Sequence, residues 1–156
     1  MPAVCPLREL VLTVVVASGC SWLPPDAPPP RPLPPDPDAS LFHDWTIAGH
    51  VLGARALISD LDSAAFHDRK VSITSAGYAS PWSGNCTEAR RDKQPRLLAE
   101  ITAAHSLGAA SDLGLSEPIA EYLLVCLAGR TPPLTIYVAG SRALTCWSGV
   151  CYRLAR

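Results

Sequence analysis

The sequence has little charge and no excess of either sign. Of its 156 residues, 17% are charged, and 13 basic residues stand against 14 acidic ones. An average soluble domain carries roughly 25% charged residues. Proteins that bind DNA or RNA usually present a basic face to the phosphates. The composition therefore predicts no nucleic-acid partner.

The short motifs of common enzyme classes are also missing. The chain contains no Gly-x-Ser-x-Gly, Ser-x-x-Lys or His-Glu-x-x-His pattern and no glycine-rich phosphate-binding loop. The candidate metal ligands are the pairs His43-Asp44 and His67-Asp68, together with His50. Neighbouring residues of a strand point to opposite faces, so neither pair is suited to bind one ion. We predict no catalytic residue, metal site, cofactor or enzyme activity, with a metal-dependent hydrolase as a remote alternative.

The apolar stretch near the start, residues 10–17, is too short to span a bilayer, which takes about 20 residues. Its length suits the apolar region of a secretory signal. It leads into the small residues Ala17-Ser18-Gly19 and directly after them Cys20. This motif resembles the lipobox of bacterial lipoproteins. The alternative is an ordinary secretory signal that is cut near the same place and leaves an odd thiol.

The lipobox resemblance implies a lipid-anchored protein of the bacterial cell envelope. Residues 1–19 are then the signal peptide, and the acylated Cys20 holds the chain to membrane lipid. Several acyl chains exceed what stable anchoring requires. Ser21, rather than an aspartate, follows the cysteine. By the same resemblance, this favours the outer membrane, with the protein facing the periplasm.

Proline is concentrated behind that cysteine. Nine of the sixteen prolines fall within residues 24–37. Such a run favours the extended polyproline II conformation because proline fixes its backbone and has no N–H to donate. We predict a semi-rigid tether over residues 20–40, reaching roughly 60 Å. The remaining residues, 41–156, are predicted to form a single globular domain.

Four cysteines lie in this domain, and an even count in an exported domain indicates two disulfides: Cys86, Cys126, Cys146 and Cys151. Three connectivities are possible, and the C-terminal pattern selects one. Residues 140–141 and 148–149 are suited to two-residue hairpin turns. The register that these turns set places the last two cysteines opposite each other. We predict the pairs Cys86–Cys126 and Cys146–Cys151.

The same two registers agree on which face of the last three strands is the core. That face contains Leu134, Ile136, Val138, Ala143, Thr145, Trp147, Val150, Tyr152 and Leu154. A slip of one residue would reverse the two faces, so the agreement of two turns supports the register.

The pattern of the whole domain predicts seven or eight strands and little helix. The expected fold class is mainly β: a small antiparallel, up-and-down, barrel-like sheet with one or two short helices, stapled by disulfides. Residues 54–59 and 70–78 are predicted as strands and 60–67 as a short helix. Residues 80–95 are predicted as a loop, and 96–105 fit either a helix or a strand.

The end of the chain, Trp147-Ser-Gly-Val-Cys-Tyr-Arg-Leu, resembles the last hairpin of small lipocalin-like lipoproteins from Gram-negative bacteria. A basic cluster in the predicted loop is the candidate contact for a partner: Arg90, Arg91, Lys93 and Arg96. Our leading hypothesis is a non-enzymatic β-barrel that binds an envelope protein or a small apolar ligand. The alternative is an inhibitor of a periplasmic enzyme or an envelope assembly factor.

Overall fold

A computed structural model describes residues 38–156 as an antiparallel sheet with three short helices. The strands are β1 (Asp44–Leu52), β2 (Lys70–Ile73), β3 (Tyr78–Ser80), β4 (Gly84–Cys86), β5 (Ala89–Arg96), β6 (Ile119–Cys126), β7 (Leu134–Ala139), β8 (Arg142–Trp147) and β9 (Val150–Ala155). The helices are α1 (Asp60–Ala64), α2 (Leu98–Ala104) and a 3₁₀ turn (Ala110–Leu113). The predicted signal peptide, Cys20 and most of the tether lie outside the described residues. Within residues 38–156, no helix has the length and apolar character needed to cross a membrane.

The nine strands form a nearly closed barrel. Their order is β4-β3-β2-β1-β9-β8-β7-β6-β5, so the first and last strands pair with each other and the edges are β4 and β5. The disulfide between Cys86 and Cys126 joins β4 to the strand beside β5, with Cα atoms 5.8 Å apart. The hydroxyl of Tyr78 also donates to the carbonyl of Pro132 at 2.7 Å near this junction. The predicted mainly β, barrel-like, disulfide-stapled fold is confirmed.

Both predicted hairpin registers are confirmed. Val138 pairs with Ala143 across the first turn, and the second turn places Cys146 opposite Cys151. These two cysteines form the second disulfide, so both bonds join the predicted partners. Gly149 has a φ of +78°, and a Cβ there would lie 2.5 Å from the carbonyl oxygen of Arg55. The turn therefore needs glycine both for its backbone angle and for the close approach of another loop.

The predicted core face lines the barrel interior. Eight of its nine residues are buried, and Trp147 is half-buried at one end. Strands β1 to β3 add Trp45, Ile47, Val71, Ile73 and Tyr78 to the same cluster. Thr145 is fully buried, and its hydroxyl donates to the carbonyl of Thr135 at 2.7 Å. The interior is thus filled by side chains from both halves of the sheet.

A second, smaller core lies on the outside of the barrel. Ile101 of α2 and Leu113 of the 3₁₀ turn cover Tyr137, Leu144 and Cys151, which project from the outer face of β7 to β9. Residues 96–105, whose sequence fits either a helix or a strand, are mainly helix, and Arg96 is the last residue of β5. Their apolar side chains follow helical spacing because they cover this outer patch.

Two predicted elements are wrong. Residues 54–59 form turns and bends, in which Leu57 donates its N–H to the carbonyl of Ser148 at 2.8 Å. Residues 80–95 are not a loop, since they contain β4 and most of β5. Strand β5 is an edge strand that pairs only with β6, and its residues are mostly exposed. Edge strands commonly carry charge and proline, so the usual apolar alternation is absent there.

The predicted strand over residues 70–78 divides into β2 and the start of β3 around a tight turn. In this turn Thr74 donates its N–H to the carbonyl of Gly77 at 2.9 Å. A Cβ on Gly77 would lie only 1.9 Å from the carbonyl oxygen of Cys86, so a larger residue cannot occupy this position without a shift of backbone.

Residues 38–43, which we name the seam segment, cover the barrel where the two edges diverge. Leu41 is fully buried in the interior cluster. The side chain of Asp38 accepts hydrogen bonds from Lys93 at 2.9 Å and from Tyr122 at 3.1 Å, while the backbone carbonyl of His43 accepts one from the N–H of Ile73 at 3.0 Å. The seam segment therefore bridges the β5 side of the gap to the β2 side.

Candidate functional site

Two adjoining clefts form a surface groove beside the N-terminal end of α2, which we name the α2 groove. The larger cleft has a volume of about 620 Å³ and is lined by Pro95, Arg96, Leu97, Glu100, Glu117, Pro118 and Ile119. The second, of about 500 Å³, shares three of these residues and extends past Tyr122 to Ser40 and Gly140. Both volumes fall in the usual range for ligand sites, about 300–1,000 Å³.

The floor of the α2 groove is apolar and its rim is acidic. Leu97 contributes an apolar side chain to the larger cleft, and this residue is 56% exposed. Glu100 accepts the N–H of Leu97 at 3.0 Å, and Glu117 accepts the N–H of Leu98 at 3.0 Å. These carboxylates satisfy backbone donors that would otherwise be unpaired at the start of the helix. Each bond uses one oxygen, so the second oxygen of each carboxylate can accept another donor.

A polar network lies behind the groove, on the outer face of the sheet under α2. Arg96 forms an ion pair with Glu121, whose side chain is 12% exposed. This hydrogen bond raises the pKa of Arg96, which is therefore charged at any physiological pH. Burial raises the pKa of Tyr137 to about 12 and lowers the pKa of His105. Nε2 of His105 and the hydroxyl of Tyr137 lie 3.0 Å apart and share one hydrogen bond.

The second cleft is bordered by a different ion pair. Lys93 lies 5.1 Å from the ring centre of Tyr122 and donates to Asp38 at 2.9 Å. The hydrogen bond from Lys93 lowers the pKa of Asp38, and hydrogen bonds to Tyr122 and Asp38 raise the pKa of Lys93. The lysine, the carboxylate and the phenol thus hold the start of the described chain against the groove.

The four predicted contact residues do not form one basic loop surface. They lie on strand β5, and only Lys93 and Arg96 line the α2 groove. Arg90 pairs with Asp92 at 3.1 Å on the exposed face, and Arg91 stacks 4.7 Å from the ring centre of Phe42. The predicted basic loop is wrong because the strand directs successive side chains to opposite faces.

The groove is consequently more acidic than the sequence indicates. Around the larger cleft, the single cation Arg96 stands against Glu100, Glu117 and Glu121. The charge of Arg96 is balanced by Glu121, so the charges of Glu100 and Glu117 leave the larger cleft with an excess of negative charge. An apolar floor with an acidic rim suits a ligand that has apolar groups and a positive charge.

Of the candidate metal ligands, the structure brings His50 and His67 into contact with each other. Nδ1 of His50 lies 2.9 Å from Nε2 of His67, and Nε2 of His50 lies 2.9 Å from the carboxylate of Asp60. His43 instead contacts the ring of Trp45 edge-on at 5.5 Å. The rings of the histidine pair thus form a hydrogen-bonded chain that ends on a carboxylate.

His105 lies beside the second disulfide. One of its nitrogens is within 4.8 Å of the sulfur atoms of Cys146 and Cys151. These sulfurs are bonded to each other. Metal ions are bound by thiolates, so this cluster is not a metal site.

A cluster of aromatic rings closes the barrel at the end near the histidine pair. Trp82 stacks on Trp147 at 5.8 Å and on Tyr152 at 4.9 Å, and Phe66 contacts all three rings edge-on. Trp82 and Trp147 are only half-buried.

The sequence analysis missed most of the α2 groove because its residues come from four separated parts of the chain: residue 40 and residues 93–100, 117–122 and 138–140. Of the groove residues, the sequence analysis identified only Lys93 and Arg96, through their place in the basic cluster.

No protein-family model, curated protein or solved structure matches this chain. The fold and the groove therefore carry the functional argument.

Proposed function

We propose that this chain is a lipid-anchored protein of the bacterial cell envelope whose barrel binds a partner protein in the α2 groove. The observation that carries the proposal is the groove itself: two clefts of about 620 and 500 Å³ that share three lining residues, the larger of which combines apolar side chains with two glutamates. The lipobox-like motif at Cys20 supports the anchor.

The filled interior supports a surface site. Trp45, Tyr122 and Tyr152 are almost completely buried inside the barrel and occupy the space that a small apolar ligand would need. Small barrels of this size are commonly filled by their own side chains. A partner that reaches the groove from outside meets no such obstacle.

The groups around the groove support binding rather than catalysis. Glu100 and Glu117 accept hydrogen bonds from the backbone of α2, and Arg96 is paired with Glu121. These polar side chains therefore have structural partners and fixed positions. The partner we propose is an extended peptide segment with apolar side chains and a lysine or arginine for the rim carboxylates. An inhibitor of a periplasmic enzyme and an assembly factor would both use such a contact.

Two synthetic peptides test the chemistry of the groove. Both contain leucine and proline at the same positions, and one has lysine where the other has glutamate. We expect the lysine peptide to bind at least about threefold more tightly in low salt, because opposite charges attract across the rim. The double variant Glu100→Gln/Glu117→Gln keeps oxygen acceptors for the helix N–H groups and removes two charges. It should reduce the difference between the peptides, whereas Glu88→Gln, away from the groove, should leave it unchanged.

The apolar floor is tested in the same binding assay. Leu97→Asp should weaken both peptides, whereas Leu57→Asp, at a position 83% exposed elsewhere, should weaken neither. Equal binding of the two peptides by the original chain would overturn the proposed charge preference. Equal effects of the two leucine variants would show that binding does not use the groove.

The anchor is tested separately. Cys20→Ser should abolish both acyl labelling and membrane partition in a bacterial host, and it should leave peptide binding by the barrel intact. Acyl labelling that persists in this variant would place the lipid elsewhere and contradict the lipobox interpretation.

A further inference from the structure

The histidine pair ties segment 53–69, which carries α1, to the barrel. His50 lies on β1, while Asp60 begins α1 and His67 follows that helix. The centres of the two imidazole rings are 5.1 Å apart, and the facing nitrogens are 2.9 Å apart. Most of the distance between the centres is therefore the hydrogen bond itself, and the two nitrogens face each other directly.

The carboxylate of Asp60 fixes the positions of the protons. An ionised carboxylate only accepts hydrogen bonds, so the nitrogen of His50 that faces it carries a proton. In a neutral ring the other nitrogen, Nδ1, is then an acceptor, and His67 donates to it through Nε2. The neutral chain therefore has two hydrogen bonds and one unoccupied nitrogen, Nδ1 of His67.

The pair can take up one extra proton without breaking. This proton goes to Nδ1 of His67 and leaves both hydrogen bonds intact. A second extra proton must go to Nδ1 of His50, which then presents an N–H to the N–H of His67 at 2.9 Å. This hydrogen bond is lost, and two positive rings repel each other where the side chain of His50 is only 9% exposed.

The charged and titratable groups around the pair come from two sides. From β9, Tyr152 lies 6.3 Å from the ring of His50, and burial raises the pKa of this tyrosine, so it stays neutral in acid. The segment itself contributes Asp60, Asp62, Asp68 and Arg69. Aspartate ordinarily keeps its charge to about pH 4, whereas imidazole ordinarily gains a proton near pH 6.5.

We propose that the Asp60–His50–His67 chain is an acid-sensitive latch, whose opening releases residues 60–67 and exposes the aromatic cluster of Phe66, Trp82 and Trp147. Phe66 lies in this segment, one residue before His67, and packs edge-on against both tryptophans at 5.8 and 5.9 Å. When the segment moves away, the half-buried tryptophan faces become an apolar surface at the barrel end. This surface is separate from the α2 groove.

The latch is tested by hydrogen exchange of the full chain at pH 7.5 and pH 5.0, with rates corrected for the intrinsic pH dependence. Protection of residues 60–67 should fall at least about tenfold in acid, while β7 and β8 remain protected. His50→Gln and His67→Gln retain a polar side chain but cannot gain a proton, so each should abolish this acid effect. His43→Gln, at the residue just before the strand that carries His50, is the matched control and should retain it.

Tryptophan fluorescence gives a second readout, since Trp82 and Trp147 gain solvent when Phe66 leaves. Its emission should shift to longer wavelength over the same pH interval in the original chain and in His43→Gln. The proposal is overturned if protection of residues 60–67 is the same at both pH values. It is also overturned if the acid effect persists in His67→Gln, which tests the latch even if the His50 variant does not fold.

Discussion

Removal of the disulfide between Cys86 and Cys126 should destabilise the barrel more than removal of the one between Cys146 and Cys151. The first bond closes a loop of 40 residues and joins the edge strand β4 to β6, the neighbour of the other edge strand, β5. The second connects neighbouring strands across a two-residue turn that already fixes their register. The perturbation is the paired substitution of both cysteines of one bond by alanine.

The chain-entropy relation gives the size of the effect. It assigns about 4 kcal/mol to the cross-link that spans 40 residues and about 2 kcal/mol to the one that spans 5. Loss of packing changes this comparison little, because each pair has one buried cysteine, Cys86 at 3% exposure and Cys151 at 0%. With an unfolding entropy of about 2.1 cal/mol/K per residue, a domain of about 120 residues should lose roughly 16 °C and 8 °C in Tm, respectively.

The assay is equilibrium unfolding in urea, followed by tryptophan fluorescence and circular dichroism, with a thermal scan of each variant. Coincident transitions by the two probes are required for the free energies to be compared. If loss of the Cys86–Cys126 bond lowers the free energy of unfolding no more than loss of the Cys146–Cys151 bond, other contacts hold the open side of the barrel together. This result would refute the expectation that the long-range bond stabilises the barrel more.

Three further predictions concern single side chains. Leu41→Ala should lower the free energy of unfolding by about 2–5 kcal/mol in urea because the side chain is fully buried, whereas Leu57→Ala should change it by less than about 0.5 kcal/mol. Tyr137 has a pKa raised to about 12, so its stabilising contribution persists below pH 10 and is lost as the pH rises from about 10 towards 12. Between pH 9 and pH 11, the free energy of unfolding in urea should fall by about 1 kcal/mol more in the original chain than in Tyr137→Phe. Equal decreases would contradict the raised pKa of Tyr137. Arg96→Ala removes the partner of the mostly buried Glu121 carboxylate and should lower the free energy of unfolding in the same assay more than Arg90→Ala, whose ion pair is exposed.

The C-terminal half of the fold was predictable because its signals are local. Two-residue turns at 140–141 and 148–149 fix the registers of β7 to β9, and the registers in turn identify the interior face and one disulfide. The remaining two cysteines then follow by elimination. Strand β5 was not predictable in this way, since an edge strand with one neighbour has no apolar alternation to reveal it.

The candidate site depended on contacts that sequence patterns do not contain. Lys93 and Arg96 were identified as candidate contact residues, but their carboxylate partners, Asp38 and Glu121, are 55 and 25 residues away in the chain. The acidic character of the groove arises from those pairings. His50 and His67 were named as candidate ligands, but the role of Asp60 in orienting them required the fold of segment 53–69.

The position of the seam segment has a mechanical consequence. When the chain is pulled from its N-terminal side, Asp38 is the first of the described residues to take the load, through its hydrogen bonds from Lys93 and Tyr122. Such a force peels the segment away one contact at a time instead of shearing whole strands. Rupture would therefore begin at the gap between the sheet edges and withdraw Leu41 from the interior. The covalent link from Cys86 to Cys126 limits how far the edges can then separate.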